Sequence, residues 1–138
     1  MKLLNFILLN FLFIGEVHSQ SIIEIKNESD TNRIFTRVET EAAYPGGDTA
    51  WRNFLIANLN VSVAVNNGAP KGKYIVIMKF IVSKDGSLAD VQCENDPGYG
   101  MCKECNRVIR VSSKWIPAQV GGKIVNSYHR QPFTFVVE

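Results

Sequence analysis

Three cysteines carry the most reactive side chains in the sequence. Cys102 and Cys105 form a C-x-x-C unit, which could act as a thiol–disulfide centre if its first thiol lay at the amino terminus of a helix. Both sulfurs fall on the predicted apolar face of a helix, and this placement favours buried cysteines. Three outcomes stay open: one structural disulfide that involves Cys93, three unpaired thiols, or redox or metal chemistry. The odd number of cysteines leaves at least one thiol without a partner inside the chain.

The cysteines and His129 together are residue types that could bind zinc in a tetrahedral site. The second pair of closely spaced ligands that structural zinc sites use is missing, so we predict no metal. The sequence also has no Gly-x-Ser-x-Gly elbow, no His-Glu-x-x-His motif and no phosphate-binding loop. We therefore expect a non-catalytic protein without a cofactor or a small-molecule substrate.

A proline near the carboxyl terminus points to a binding surface. The stretch 124–137 predicts a long strand, because Phe133, Phe135 and Val137 recur at every second position. Pro132 lies within it and has no N–H to donate, which indicates a strand at the edge of a sheet. An extended peptide of a partner could add to such an edge as another strand, although the proline could equally serve only to prevent unwanted pairing. The residues predicted to contact a partner are Ser127, Tyr128, His129, Arg130, Gln131, Pro132, Thr134 and Val136.

Two helices and three strands must position this edge. The first helix is predicted by the spacing of Trp51, Phe54, Leu55 and Leu59, and the second by the apolar stripe that includes both C-x-x-C cysteines. An apolar strand over 74–82, a hairpin at Asp85-Gly86 and a returning strand over 88–93 lie between the helices. The order helix, strand, strand, helix, strand predicts an α+β domain, with both helices packed on one face of a three-stranded antiparallel sheet.

The amino terminus has the pattern of a secretory signal peptide. Lys2 precedes an apolar run over 3–14, which is too short for a bilayer-spanning helix of about 20 residues and suits a cleaved signal. Val17-His18-Ser19 places the cleavage site after Ser19. We therefore predict a signal peptide at 1–19, a flexible arm at 20–37 and one domain at 38–138. An uncleaved inner-membrane anchor is the less favoured alternative.

Composition argues against some classes of partner. The chain is 46% hydrophobic and 20% charged, as in an ordinary globular domain, and its net charge is +2. Lysine and arginine are scattered, so there is no basic patch that would neutralise phosphates or anionic lipids. We expect no nucleic-acid partner.

Five short motifs in this order resemble the TonB C-terminal domain, especially the variety found in Bacteroidetes-type bacteria. The motifs are Tyr44-Pro45-Gly46-Gly47, Val82-Ser83-Lys84-Asp85-Gly86-Ser87, Pro97-Gly98-Tyr99-Gly100-Met101, Trp115-Ile116-Pro117-Ala118 and Gln131-Pro132-Phe133-Thr134-Phe135. The likeness covers about 38–138.

The resemblance implies a periplasmic adaptor in an energy-transducing system for transmembrane transport. In that family the domain pairs with a short peptide, the TonB box, of an outer-membrane transporter. Two alternatives belong to other classes of protein. One is a thiol redox protein that uses the Cys102/Cys105 pair, and the other is a structural domain that forms a homodimer through the same edge.

Export gives the first testable prediction. The mature protein, isolated from the periplasm, should begin at or near Gln20, because the peptidase site follows a short apolar run. Amino-terminal sequencing measures this directly. Recovery of chains that begin at Met1 in the inner membrane would favour the uncleaved anchor instead.

Overall fold

The computed structural model describes residues 32–112 and 114–138. The predicted signal peptide at 1–19, and the predicted arm as far as residue 31, lie outside the described residues. Within the described ranges, no helix combines the length and the apolar character that are needed to cross a membrane.

Eight elements follow one another along the described part of the chain, and three of them are helices. These are β1 (Ile34–Phe35), α1 (Gly47–Asn58), α2 (Val63–Asn66), β2 (Gly72–Val82), β3 (Leu88–Asn95), α3 (Met101–Val111), β4 (Ala118–Val120) and β5 (Lys123–Val137). The predicted α+β class is confirmed, and both predicted helices are present as α1 and α3. The single turn α2 was not predicted, because four residues are too few to show a helical period.

The sheet is larger than predicted and is mixed. Its described strands lie in the order β1-β5-β2-β3, and β4 forms a hairpin with the start of β5. The three predicted strands are β2, β3 and β5, and they pair antiparallel. The prediction of a purely antiparallel, three-stranded sheet was wrong because β1 pairs parallel to β5 and β4 adds a fifth strand. Strands of two and three residues are too short to show alternation in a sequence.

β1 also changes the boundary of the domain. The compact unit runs from Ile34 to Glu138, whereas the sequence predicted that the flexible arm would extend to residue 37. Ile34 and Phe35 pair with Asn126 and Ser127, and the Phe35 side chain packs against the core. Pairing with a strand about ninety positions away cannot be read from a local pattern, which is why this part of the arm was misassigned.

The core lies on one face of the β2–β5 pair. Side chains alternate between the two faces of a strand, and in both strands one set is buried while the other set faces outward. The buried set of the two strands is Val76, Met78, Phe80, Val82, Val125, Ser127, Phe133, Phe135 and Val137. α1 contributes Trp51 to the same buried cluster, and α3 contributes five residues, among them Met101 and Cys105.

Aromatic rings connect α1 to the sheet. The ring of Trp51 lies 5.3 Å from that of Trp115 and 6.1 Å from that of Phe133, measured between centroids. Trp115 in turn contacts Phe80 at 5.2 Å, edge to face. Such pairs each contribute about 0.5–1.5 kcal/mol beyond the burial of their area. The cluster therefore holds α1 against β5.

The Asp85-Gly86 hairpin fixes the position of Trp115. The backbone N–H of Trp115 donates to the Gly86 carbonyl at 2.9 Å. A Cβ at Gly86 would lie 2.2 Å from the Trp115 carbonyl oxygen, and the φ of Gly86 is +81°. Only glycine permits both this approach and this conformation without strain.

Removal of the Trp51 side chain should destabilise the domain. Trp51→Ala should lower the free energy of unfolding by about 3–5 kcal/mol, because a large aromatic side chain is lost from a packed interior. Ile56→Ala on the same helix is the control: Ile56 is 76% exposed, so its loss should be within about 0.5 kcal/mol. Denaturant titration measures both changes. Similar losses for the two variants would mean that α1 does not pack through Trp51.

Candidate functional site

The candidate site is the edge of β5 that faces away from β2. The two strands pair from Gly72–Val137 to Val82–Ser127 without a register shift. In such a ladder, the backbone groups of successive residues point alternately toward the partner strand and away from it. The regular pairing therefore leaves every second residue of β5 with its N–H and C=O directed to the opposite edge.

The side chain of Asn95 identifies which residues face that edge. The Ile77 N–H donates to Asn95 Oδ1 at 2.7 Å, and Asn95 Nδ2 donates to the Ile75 carbonyl at 2.7 Å. The backbone groups of Ile75 and Ile77 thus face β3 and not β5. Their opposite residues on β5, Thr134 and Pro132, form non-hydrogen-bonded pairs, so their backbone groups face away from β2.

The same alternation gives the whole outward set of β5. Its members beyond the end of β1 are Arg130, Pro132, Thr134 and Val136. β1 covers only the start of this edge, where Ile34 and Phe35 pair with Asn126 and Ser127. Among the described residues, no strand pairs with this edge beyond β1. The free stretch is therefore long enough for a peptide of several residues to pair with it.

Pro132 lies in the middle of the free stretch. Its nitrogen points outward, so the ladder with β2 loses no hydrogen bond from the missing donor. The Pro132 carbonyl accepts a hydrogen bond from Gln131 Nε2 at 3.2 Å. The centre of the edge consequently has no donor, and its carbonyl holds one hydrogen bond and keeps a second lone pair for a partner.

The other edge of the sheet, on β3, is irregular. The pairing of β2 with β3 has two register shifts, and Asp90 has a φ of +51°. Such bulges bend and twist an edge strand, which is a common way of preventing another strand from pairing with it. The pairing of β2 is thus regular on the β5 side and irregular on the β3 side.

A pocket of about 450 Å³ opens beside the start of the free edge. Its lining residues are Thr36, Glu41, Lys79, Tyr128, His129 and Arg130. Lys79 Nζ lies 4.3 Å from the centre of the Tyr128 ring, and Arg130 Nη2 lies 2.8 Å from Glu94 Oε1. The pocket could accept a polar side chain of a bound strand.

Apolar side chains line the outer face of the sheet beside the remainder of the edge. Ile75 is 47% exposed and Val136 is 62% exposed. Ile75 is opposite Thr134, and Ile77 is opposite Pro132. Side chains of an added strand that project to this face would therefore meet an apolar surface.

Three residues of the predicted binding set lie on the core-facing side of β5, and they are Ser127, His129 and Gln131. Ser127 is 0% exposed, so it cannot contact a partner through its side chain. The His129 ring lies 5.4 Å from that of Phe80 and 5.2 Å from that of Trp115. Burial lowers the pKa of His129 below its ordinary value, which favours the neutral imidazole. His129 reaches the site only at the wall of the pocket.

Cys93 and Cys102 are joined by a disulfide with a Cα–Cα distance of 6.0 Å. The bond ties β3 to the first turn of α3. Cys105 has no disulfide partner among the described residues and is completely buried. Burial raises the pKa of the Cys105 thiol to about 12. The C-x-x-C pair that thiol redox chemistry would use is therefore not the pair that is bonded.

Sequence reasoning missed two contributors to the site. Lys79 lies in an apolar strand and Glu41 in an irregular segment, so neither shows a pattern that would link it to β5. The one usable signal was Lys79 itself, a charged residue in a strand whose neighbours are apolar.

Comparison with known proteins gives no assignment. No protein-family model matches this chain, and no curated protein matches it. The geometry of the site is therefore the basis for assigning a function.

Thiol titration tests the arrangement of the cysteines. The native protein should show no reactive thiol, and one thiol should react after unfolding without reductant, because two of the three cysteines are bonded. The control Cys105→Ala should show none in either state. A thiol that reacts rapidly in the native, unreduced protein would contradict the buried Cys105 and would favour redox chemistry.

Proposed function

We propose that this protein is a periplasmic adaptor that binds an extended peptide on the free edge of β5 by strand addition. The proposed partner is the TonB box of an outer-membrane transporter, as the resemblance to TonB C-terminal domains implies. The observation that carries the proposal is the unshifted β2–β5 ladder, which leaves a regular edge without a described partner strand from residue 130 to residue 136.

The architecture agrees with the proposed relationship to TonB C-terminal domains. A helix, an antiparallel hairpin, a second helix and a long final strand follow one another, in the order that the side-chain periods predicted. The Tyr44-Pro45-Gly46-Gly47 turn leads directly into α1, and Tyr44 packs on Trp51 with ring centroids 5.1 Å apart. The motifs that carry the resemblance thus serve the packing of β5 against α1.

Strand addition suits the chemistry of this edge. The outward N–H groups of Arg130, Thr134 and Val136 can donate to a peptide, and the outward carbonyls can accept from it. Main-chain hydrogen bonds of this kind give affinity, and side-chain pockets give selectivity. The pocket at Lys79 and Arg130 would favour a polar side chain at one end of the peptide. The apolar surface around Ile75 would favour an apolar side chain at the other end.

The disulfide supports an extracytoplasmic location. Disulfides persist in oxidising compartments such as the periplasm and are rare in the cytosol. The Cys93–Cys102 bond therefore agrees with export by the predicted signal peptide. The bond connects two elements of the core, so its role in this proposal is to hold the sheet against α3.

The proposal predicts that proline at an outward position weakens peptide binding. Thr134→Pro removes an outward donor and places its ring against the incoming strand, so the affinity should fall about tenfold or more. Thr134→Ala keeps the backbone N–H and is the matched control, with a loss below about threefold. The measurement is titration calorimetry with synthetic TonB-box peptides.

Circular dichroism should show that both variants are folded, because the Thr134 N–H does not pair with β2. If no TonB-box peptide binds the parent protein, the proposed partner is wrong. If the peptide binds the parent and the folded Thr134→Pro variant equally tightly, the proposed edge is wrong.

A further inference from the structure

We propose that Pro132 makes the free edge of β5 selective against a second copy of this chain, while the edge stays open to a single peptide strand. The proposal concerns self-association, so it goes beyond the proposed peptide binding. Its basis is the position of Pro132 among the outward-facing residues.

Self-pairing of two edges would place both prolines in the new ladder. In a symmetric antiparallel pair, the outward residues of one copy lie opposite the outward residues of the other. Any register that uses Arg130 or Pro132 includes the Pro132 of both copies. Each proline lacks one N–H, so the dimer loses two hydrogen bonds, and each ring lies where the partner's backbone would approach.

Only a very short overlap avoids the prolines. Pairing between two copies can leave Pro132 outside the ladder only if it is confined to Thr134 and Val136. These are the last two outward residues of β5. Such a short pairing is marginal, because even complete two-stranded hairpins are marginally stable in water. The prolines therefore oppose every symmetric register of useful length.

A peptide strand meets only one proline. It loses one hydrogen bond at Pro132 and keeps those at the outward positions on either side. Gln131 Nε2 already bonds the Pro132 carbonyl, so this carbonyl is satisfied while the edge is empty. The cost that Pro132 imposes is thus doubled for self-association relative to peptide binding.

The distorted β3 edge opposes head-to-tail association of copies of this chain. Copies could otherwise associate head to tail, with the β5 edge of one copy against the β3 edge of the next, and form an open fibre. The two register shifts of β3 and the left-handed conformation of Asp90 disrupt the row of backbone groups that such a contact needs. The β5 edge is thus the regular edge that requires protection, and Pro132 lies at its middle.

The test replaces Pro132 and then restores a proline elsewhere on the same edge. Pro132→Thr supplies an outward N–H in a residue that favours strands, so self-association should become about ten- to thirtyfold tighter than in the parent. The double variant Pro132→Thr with Thr134→Pro has the same composition as the parent and again has a proline at an outward position. It should return to the weak self-association of the parent.

Sedimentation velocity over a range of protein concentrations, without any peptide, measures these constants. Amide hydrogen exchange should show new protection at residue 134 in Pro132→Thr only. Pro132→Ala is the alternative if the threonine variant does not fold. The proposal is overturned if the folded single variant associates no more tightly than the parent, or if the double variant associates as tightly as the single variant.

This outcome is independent of peptide binding. Failure of every peptide to bind would contradict the proposed function and would leave the sedimentation result interpretable. Tight peptide binding combined with unchanged self-association in Pro132→Thr would contradict only the role of Pro132.

Discussion

The antiparallel pairing of β2 with β5 is the constraint on which the rest of the structure depends. Its register runs unbroken from Gly72–Val137 to Val82–Ser127. A slip of one residue would exchange the two faces of a strand, so that Phe133 and Phe135 would leave the core. The same slip would reverse the direction of every backbone N–H on β5. The ladder therefore determines both the hydrophobic core and the binding edge.

Packing on the inner face keeps that register in place. Trp51 from α1 and Trp115 after α3 close over the buried side chains of both strands, and the Cys93–Cys102 bond ties β3 to α3. The outer face has no comparable cover among the described residues, and Ile75 and Val136 remain largely exposed there. This asymmetry is what allows a regular, well-supported edge to coexist with a surface that a partner strand can reach.

The unpaired edge of β5 must be open to a peptide strand without pairing with the same edge of another copy. A straight, unpaired edge is needed for strand addition, yet the same edge can pair with copies of itself. β3 is protected by bulges, which make it unsuitable for any added strand. β5 keeps a regular register with β2 and has one proline, which removes one donor from a row of outward groups. A single missing donor weakens symmetric pairing more than it weakens the binding of one peptide.

The sequence alone determined the α+β class, the two main helices, the three long strands and an unpaired side of β5 around Pro132, whereas β1 and β4 pair with the start of that strand. These follow from local physics: side-chain periods of 3.6 and 2, and the absence of an N–H in Pro132. Tertiary structure alone decided which elements pair with one another. β1 joins the sheet through Asn126 and Ser127, and Cys102 bonds Cys93 rather than Cys105. Each of these depends on which elements meet in space, and side-chain periods contain no information about which elements those are.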